Sequence, residues 1–393
     1  MFLAGRFFAG MSSFGYLVLT PIYCTELAPP KYRGFFVGLN AVFIATGYSI
    51  AAWTGVGFSY SLNPTTQWRG PLGMYLPWPA LLMVIAFFSP ESPRWLMLQG
   101  REEEARKVIF DLHTVKGDDL FASQEFEEIK KQTVIDQTLE TSWLSMFTKP
   151  SYRRRVAITC FYSFLGQSTA ILVINNYGPT FYSALGFEVR QQLFLQAGWV
   201  STAIPSCLLG AFLADIIGRK PIMLLGIGGC CACLIIEAAS VKHFTDDPTR
   251  KPIGILGTVA LYLFVAVYNL GVDVGGNVFF SEVFPNHIRS KGVALANLVL
   301  ALADLVYLQV TPYAFANIGW KFFLVFIIIS GLGFFVLIFT LPETKGLPLE
   351  ELGKLFHDDP ATIAALSEGA NSSSDDHVHE MKVHDAKNEG SLV

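Results

Sequence analysis

Two segments of the chain repeat one charged signature. Glu26, Pro29 and Arg33 recur with identical spacing as Glu282, Pro285 and Arg289, and each set closes one long apolar stretch and opens another. A second echo follows each set: Pro90-Glu91-Ser92-Pro93-Arg94 after the first, Pro342-Glu343-Thr344-Lys345 after the second. A charged signature repeated between hydrophobic spans marks a duplicated bundle of membrane helices.

Composition supports that reading. Charged residues make up 15% of the chain, well below the roughly 25% of soluble domains. About 20 apolar residues cross a bilayer, and nine such stretches run approximately over 2–24, 34–59, 71–89, 156–180, 192–216, 221–241, 253–280, 291–315 and 321–341. The stretch 324–340 offers no polar face, which excludes a water-soluble helical bundle. All six cysteines fall inside or at the ends of these stretches. Cys230 and Cys233 form a C-x-x-C in mid-membrane without His or acidic neighbours, so neither a disulfide nor a metal site is expected.

Basic residues give the orientation. Alternate loops collect Lys31, Arg33, Arg94, Arg101, Lys149, Arg153 to Arg155, Arg219, Lys220, Arg289 and Lys345, and the positive-inside rule places that set, with the C-terminus, in the cytosol. Residues 1–89 read as a partial bundle of three helices and 153–341 as a bundle of six. Between them, 90–152 form a cytosolic loop whose stretches from Arg101 and Glu125 read as short amphipathic helices. Residues 342–393 form a tail, disordered from about 358 by composition.

The motifs Gly5-Arg6, Glu26-Leu-Ala-Pro with Arg33, Pro90-Glu-Ser-Pro-Arg, Asp215 with Gly218-Arg219-Lys220, Glu282-Val-Phe-Pro with Arg289, and Pro342-Glu-Thr-Lys-Gly346 follow in order. Together they resemble the sugar porter branch of the major facilitator superfamily. The resemblance implies an all-α membrane protein of the major facilitator fold with nine of twelve transmembrane helices, the first three being absent. It also implies that Glu26, Arg33, Glu91, Arg94, Asp215, Arg219, Glu282, Arg289 and Glu343 form ion-pair networks that gate the cytosolic side. Arginine forks suit this, because bidentate pairs with carboxylates break and re-form as discrete contacts.

Polar side chains stranded in apolar spans are the candidates for a midplane site. Gln167 matches a family glutamine that binds sugar hydroxyls, and Asn175 and Asn176 follow before the helix-weakening Gly178-Pro179. The chain departs from the family at Gly166, Leu172 and Ala41, where Asn40 is adjacent, and at Asn277, which replaces a tryptophan. Asn269, Asp273 and Asn277 are spaced to share an arc of about 80° on one helix flank. Asp273 and Asp304 are acids at membrane depth, candidates for proton binding or substrate contact.

The expected function is sugar transport by alternating access with proton coupling. A passive facilitator, a non-transporting sensor and an inactive truncated fragment remain as alternatives. Substrate-binding is assigned to Gln167, Asn175, Asn176, Asn277 and Asn40, and proton coupling to Asp273 and Asp304. The expected partners are a small-molecule sugar, protons and the lipid bilayer, with no nucleic acid, cofactor or metal. No catalytic constellation is present, so the chain is not expected to be an enzyme. A monomer in the plasma membrane is expected.

Overall fold

The computed structural model describes residues 1–28, 33–114, 119–139, 142–247, 251–345 and 354–356. Eight apolar helical stretches are long enough to cross a membrane. The last, His287–Thr340, has 54 residues, about 80 Å at 1.5 Å per residue, against a hydrocarbon core of about 30 Å. It folds back on itself at Gly319 (φ +53°) and a single 3₁₀ turn, Gly319–Lys321. It therefore supplies two crossings, and the described residues make nine.

The first part of the chain contributes α1 (Phe2–Leu27), α2 (Arg33–Ser59), and a third span split into α3 (Pro64–Gly73) and α4 (Pro77–Phe88). Asn63 caps α3 by accepting from the Thr65 N–H at 2.9 Å. The apolar windows of the first and third spans bury nothing within the chain. Phe7, Phe8, Leu19, Met83 and Phe87 point outward, as lipid-facing or helix-facing side chains do and water-facing ones do not.

Next come the short helices α5 (Pro93–Leu98), α6 (Glu102–His113), α7 (Leu120–Thr138) and α8 (Ser145–Thr148). The first three close a small core of their own around Leu96, Ala105, Ile109, Ala122, Phe126 and Ile129. This cap sits against the end of α1, where the Tyr23 hydroxyl donates to the Pro90 carbonyl at 2.6 Å and Ser92 Oγ donates to the Glu26 carboxylate.

The remaining spans are α9 (Pro150–Gln167), α10 (Ile171–Ala184), α11 (Val189–Ile217), α12 (Arg219–Asp246), α13 (Lys251–Val267), α14 (Val274–Val283), α15 (Asn286–Ile318) and α16 (Phe322–Thr340). They share one large apolar core, which α2 joins through Ala41, Val42 and Ala45. Ser49 Oγ and Trp53 Nε1 of α2 reach Ser201 Oγ of α11 at 2.7 and 2.9 Å. After Leu355, where composition turns polar, Phe356 is still buried beneath the Arg155 guanidinium, 4.6 Å from its ring centroid. The expected disordered tail lies outside the described residues.

Two features of the backbone set up the site. One crossing is broken between α9 and α10 at Ser168, Thr169 and Ala170, and Ala170 holds a left-handed φ of 72°. Another carries a π-helical turn, Tyr268–Asp273, between α13 and α14. That turn lies directly on α12. A Cβ on Gly271 would stand 2.5 Å from the Ile222 carbonyl oxygen and 2.6 Å from Gly226 Cα, so glycine is required for the backbones to meet.

Candidate functional site

Gln167 is the last residue of α9 and is buried, with its Oε1 unpaired among the described residues. The three residues that follow are fully buried. Their hydroxyls turn back on the helix: Ser168 Oγ donates to the Phe164 carbonyl and Thr169 Oγ1 to the Gly166 carbonyl, at 2.8 and 2.7 Å. Such back-bonding satisfies carbonyls that the broken helix would leave open. A left-handed alanine costs about 1–2 kcal/mol, and strain of this kind concentrates at sites that move or bind.

Facing the break, α15 presents Asp304 and, one turn on, Tyr307, whose hydroxyl meets Ser168 Oγ at 2.8 Å. Asp304 is buried and its Oδ2 has no hydrogen-bond partner among the described residues. The π-turn supplies the second acid: Asp273 Oδ1 accepts from Asn277 Nδ2 at 3.2 Å. Tyr162 ties α9 to that turn by donating to the Val272 carbonyl at 3.1 Å, and its ring lies over Gly276. Tyr268, stacked on Phe264, is within electrostatic range of both Asp273 and Asp304.

The helices α1 and α2 line a cavity of about 290 Å³ with Ser13, Phe14, Tyr16, Leu17, Thr20, Asn40, Ile44 and Tyr48. Pockets of this order, with a few polar groups in an apolar wall, hold small molecules. Tyr48 lines the cavity and lies within electrostatic range of Asp304 and Asp273, without a hydrogen bond to either. Among the described residues, no Lys or Arg lines this cavity.

The substrate residues expected from sequence do not all converge. Gln167 lies beside the break, Asn277 beside Asp273, and Asn40 in the cavity wall. Asn176 is exposed and donates to the Leu172 carbonyl, while Asn175 Oδ1 meets Gln196 at 3.5 Å. The expected weak point at Gly178-Pro179 is not where the helix breaks, because α10 runs through both residues. Pro179 leaves the Asn175 carbonyl without its helical donor, and Gln196 Nε2 supplies one at 2.8 Å. Gln196 approaches over Gly178, where a Cβ would meet its Oε1. The π-turn spans the step from Asn269 to Asp273, and Asp273 meets Asn277. Asn269 accepts from Cys207 Sγ and donates to the Val265 carbonyl.

Sequence reasoning missed Ser13, Tyr16, Thr20 and Tyr48. The signal was present: 13, 16, 17 and 20 lie on one helical face, and three of these four are polar within an apolar span.

At the basic end of the bundle, Arg219 forks onto Glu282, with Nη2 at 2.7 Å from Oε1 and Nε at 3.1 and 3.2 Å from the two oxygens. Glu282 also accepts from Thr344 Oγ1 at 2.7 Å. Glu343 caps α12: its oxygens accept from the backbone N–H groups of Arg219 and Lys220 at 2.9 and 3.0 Å. A carboxylate at a helix N-terminus is favoured by both orphan donors and dipole. It approaches over Gly218, where φ is +107° and a Cβ would lie 2.8 Å from Glu343 Oε2. Arg289 Nε donates to the Phe284 carbonyl at 3.3 Å. Glu26 is held by Ser92, Glu91 is exposed and Arg94 half-buried. The side chains of Arg33 and Asp215 lie outside the described residues. Among those described, no group of three His, Cys, Asp or Glu could hold a metal ion.

Nine membrane crossings among the described residues, a broken helix and a π-turn beside the buried Asp304 and the half-buried Asp273, and charged clusters at one end define a multi-pass membrane transporter. The profile of the family described as "Sugar (and other) transporter" matches residues 1–356. The chain belongs to this family, and it is a transport protein rather than an enzyme. An MFS-type transporter of Aspergillus cristatus, criB, is 32% identical over 92% of this chain and 74% of its own length. A probable quinate permease of Aspergillus fumigatus is 29% identical over 91% of the chain and 68% of its own. Among solved structures, the proton:xylose symporter XylE bound to 6-bromo-6-deoxy-D-glucose superposes with a TM-score of 0.71 at 24% identity, over 86% of this chain and 70% of that one. The inward open conformation of XylE from E. coli superposes with a TM-score of 0.62 at 24% identity, over 85% and 68%.

Proposed function

We propose that the chain carries an uncharged polyhydroxylated ring, a sugar or sugar-like polyol, together with protons. The carrying observation is a cavity whose partly apolar wall includes Ser13, Tyr16, Thr20, Asn40 and Tyr48, together with Asp304, a buried acid with an unpartnered carboxylate oxygen among the described residues. Carboxyls at membrane depth are costly as bare charges and are suited to binding and releasing protons. Gln167 and Asn277 supply amide donors and acceptors to ring hydroxyls, and Asn40 supplies a third from the cavity wall. Asn175 and Asn176 on α10 belong to the same transport path. The quinate of the fungal permeases is a ring acid, and a cavity with no basic residue among the described residues of its wall favours a neutral ring over that anion.

The basic end faces the cytosol in this reading, by the positive-inside rule, and the protein acts as a monomer in the plasma membrane. Residues 1–89 and 153–341 form the two sides of the transport path and 90–152 the cytosolic cap. The Arg219–Glu282 fork and the Glu343 cap hold the cytosolic side shut, and Glu26, Glu91, Arg94, Arg289, Arg33 and Asp215 belong to the same gate.

Uptake of radiolabelled sugars, polyols and quinate by proteoliposomes, with and without an inward proton gradient, tests the proposal. Gradient-stimulated uptake of a neutral ring is expected. Asp273→Asn and Asp304→Asn should abolish accumulation but leave exchange. Uptake of quinate alone would overturn the neutral-ring assignment, and accumulation undiminished in both variants would overturn the role of the acids.

A further inference from the structure

His113 is the last residue of α6 and is 5% exposed. Its Nδ1 meets the carboxylate of Glu125, which is 7% exposed on α7. Its Nε2 stands 3.0 Å from the carbonyl oxygen of Leu27, the last residue of α1. The ring thus joins α6 and α7 of the cap to the end of a membrane span. That carbonyl is one of the four that a helix leaves without an internal donor.

The hydrogen bookkeeping is decisive. A carbonyl oxygen only accepts, so Nε2 must carry a proton. A carboxylate also only accepts, so Nδ1 must carry a proton too, unless the proton sits on Glu125 and is donated to Nδ1. Either arrangement holds one proton more than neutral histidine beside ionised glutamate. Without that proton, one ring nitrogen turns a lone pair towards an oxygen, and one of the two contacts is lost.

We propose that His113 and Glu125 form a proton-dependent latch that docks the α5–α7 cap on the end of α1. The docked state binds one proton more than the undocked state. Docking is therefore complete at low pH and weakens as pH rises through the histidine range, by up to about tenfold per pH unit. Of the neighbouring groups, Glu26 of α1 is engaged by Ser92, Arg94 of α5 is half-buried, and Phe121 of α7 places its ring 6.1 Å from the imidazole. Asp119 is engaged by Thr114 Oγ1. The latch grips the same end of α1 that Tyr23 and Glu26 fix to Pro90 and Ser92. Acidification on that side of the membrane tightens the hold on a span that lines the cavity.

Amide hydrogen exchange of the full chain in nanodiscs, at pH 6 to 8 and corrected for intrinsic exchange, tests the latch. In the wild type, protection of 102–113 and 120–131 should fall with rising pH. His113→Ala should show low protection at every pH. Glu125→Gln lets the new amide donate to Nδ1 while Nε2–H keeps Leu27, so protection should stay high and independent of pH. A flat wild-type profile, or a Glu125→Gln profile that falls as the wild type does, would overturn the proposal.

Discussion

Replacing Arg219 by alanine removes the fork on Glu282 and leaves that carboxylate accepting from Thr344 Oγ1 at 2.7 Å. The two side chains are 12% and 27% exposed. Truncating one member of a fully buried pair costs about 3–5 kcal/mol. Partial exposure and the surviving Thr344 bond reduce this to roughly 2 kcal/mol. If the fork forms only when the basic end is closed, its loss shifts the closed-to-open ratio by the same amount, about 30-fold. Arg219→Lys keeps the charge without the fork and should shift it by about a third to a half as many kcal/mol, roughly 3- to 5-fold. Native Cys24 is half-buried on α1, two residues from Glu26. Its maleimide labelling rate, read by mass spectrometry of its peptide, should rise in the order wild type, Arg219→Lys, Arg219→Ala. Rates within twofold of each other in folded, monodisperse protein would refute the gate.

Three other substitutions have defined expectations. Ala170→Gly relieves the left-handed strain and should raise thermal stability by about 1 kcal/mol, read as a higher melting temperature in detergent; no change would mean that the break carries no strain. Gly271→Ala drives a methyl group into the Ile222 carbonyl and Gly226, and should cost about 1–3 kcal/mol or more in the same assay, with reduced uptake because Asp273 is displaced. Gln167→Ala should raise the apparent KM for the transported ring by about tenfold, since one buried hydroxyl partner is worth roughly 1–1.5 kcal/mol; an unchanged KM would remove Gln167 from the site.

The membrane bundle was legible because its signal is long and apolar. The crossings and the duplicated charged ends needed no tertiary information. What the sequence did not disclose are local decisions made by packing. Gly178-Pro179 is the strongest breaking dipeptide in its span, yet Gln196 repairs the carbonyl that Pro179 leaves open and the helix continues. The break falls instead at Ser168, Thr169 and Ala170, which have no such signature. Gly271, Gly275 and Gly276 hinted at a close approach, but that the backbone would widen into a π-turn depends on α12 pressing against it. Arg219, Glu282 and Glu343 were singled out from sequence as charges, whereas the specific form of the contact was not: Glu343 binds backbone N–H groups, not an arginine side chain. The pairing of His113 with Glu125 depends on the register of two short helices, which periodicity alone leaves free.

The most direct measurement is proton-gradient-driven uptake by proteoliposomes containing the full-length protein. A neutral polyhydroxylated ring should accumulate inside when the outside is acidic, and the accumulation should collapse with a protonophore and in Asp273→Asn. Accumulation that ignores both the gradient and the substitution, or no movement of any neutral ring, would contradict proton-coupled transport through this site.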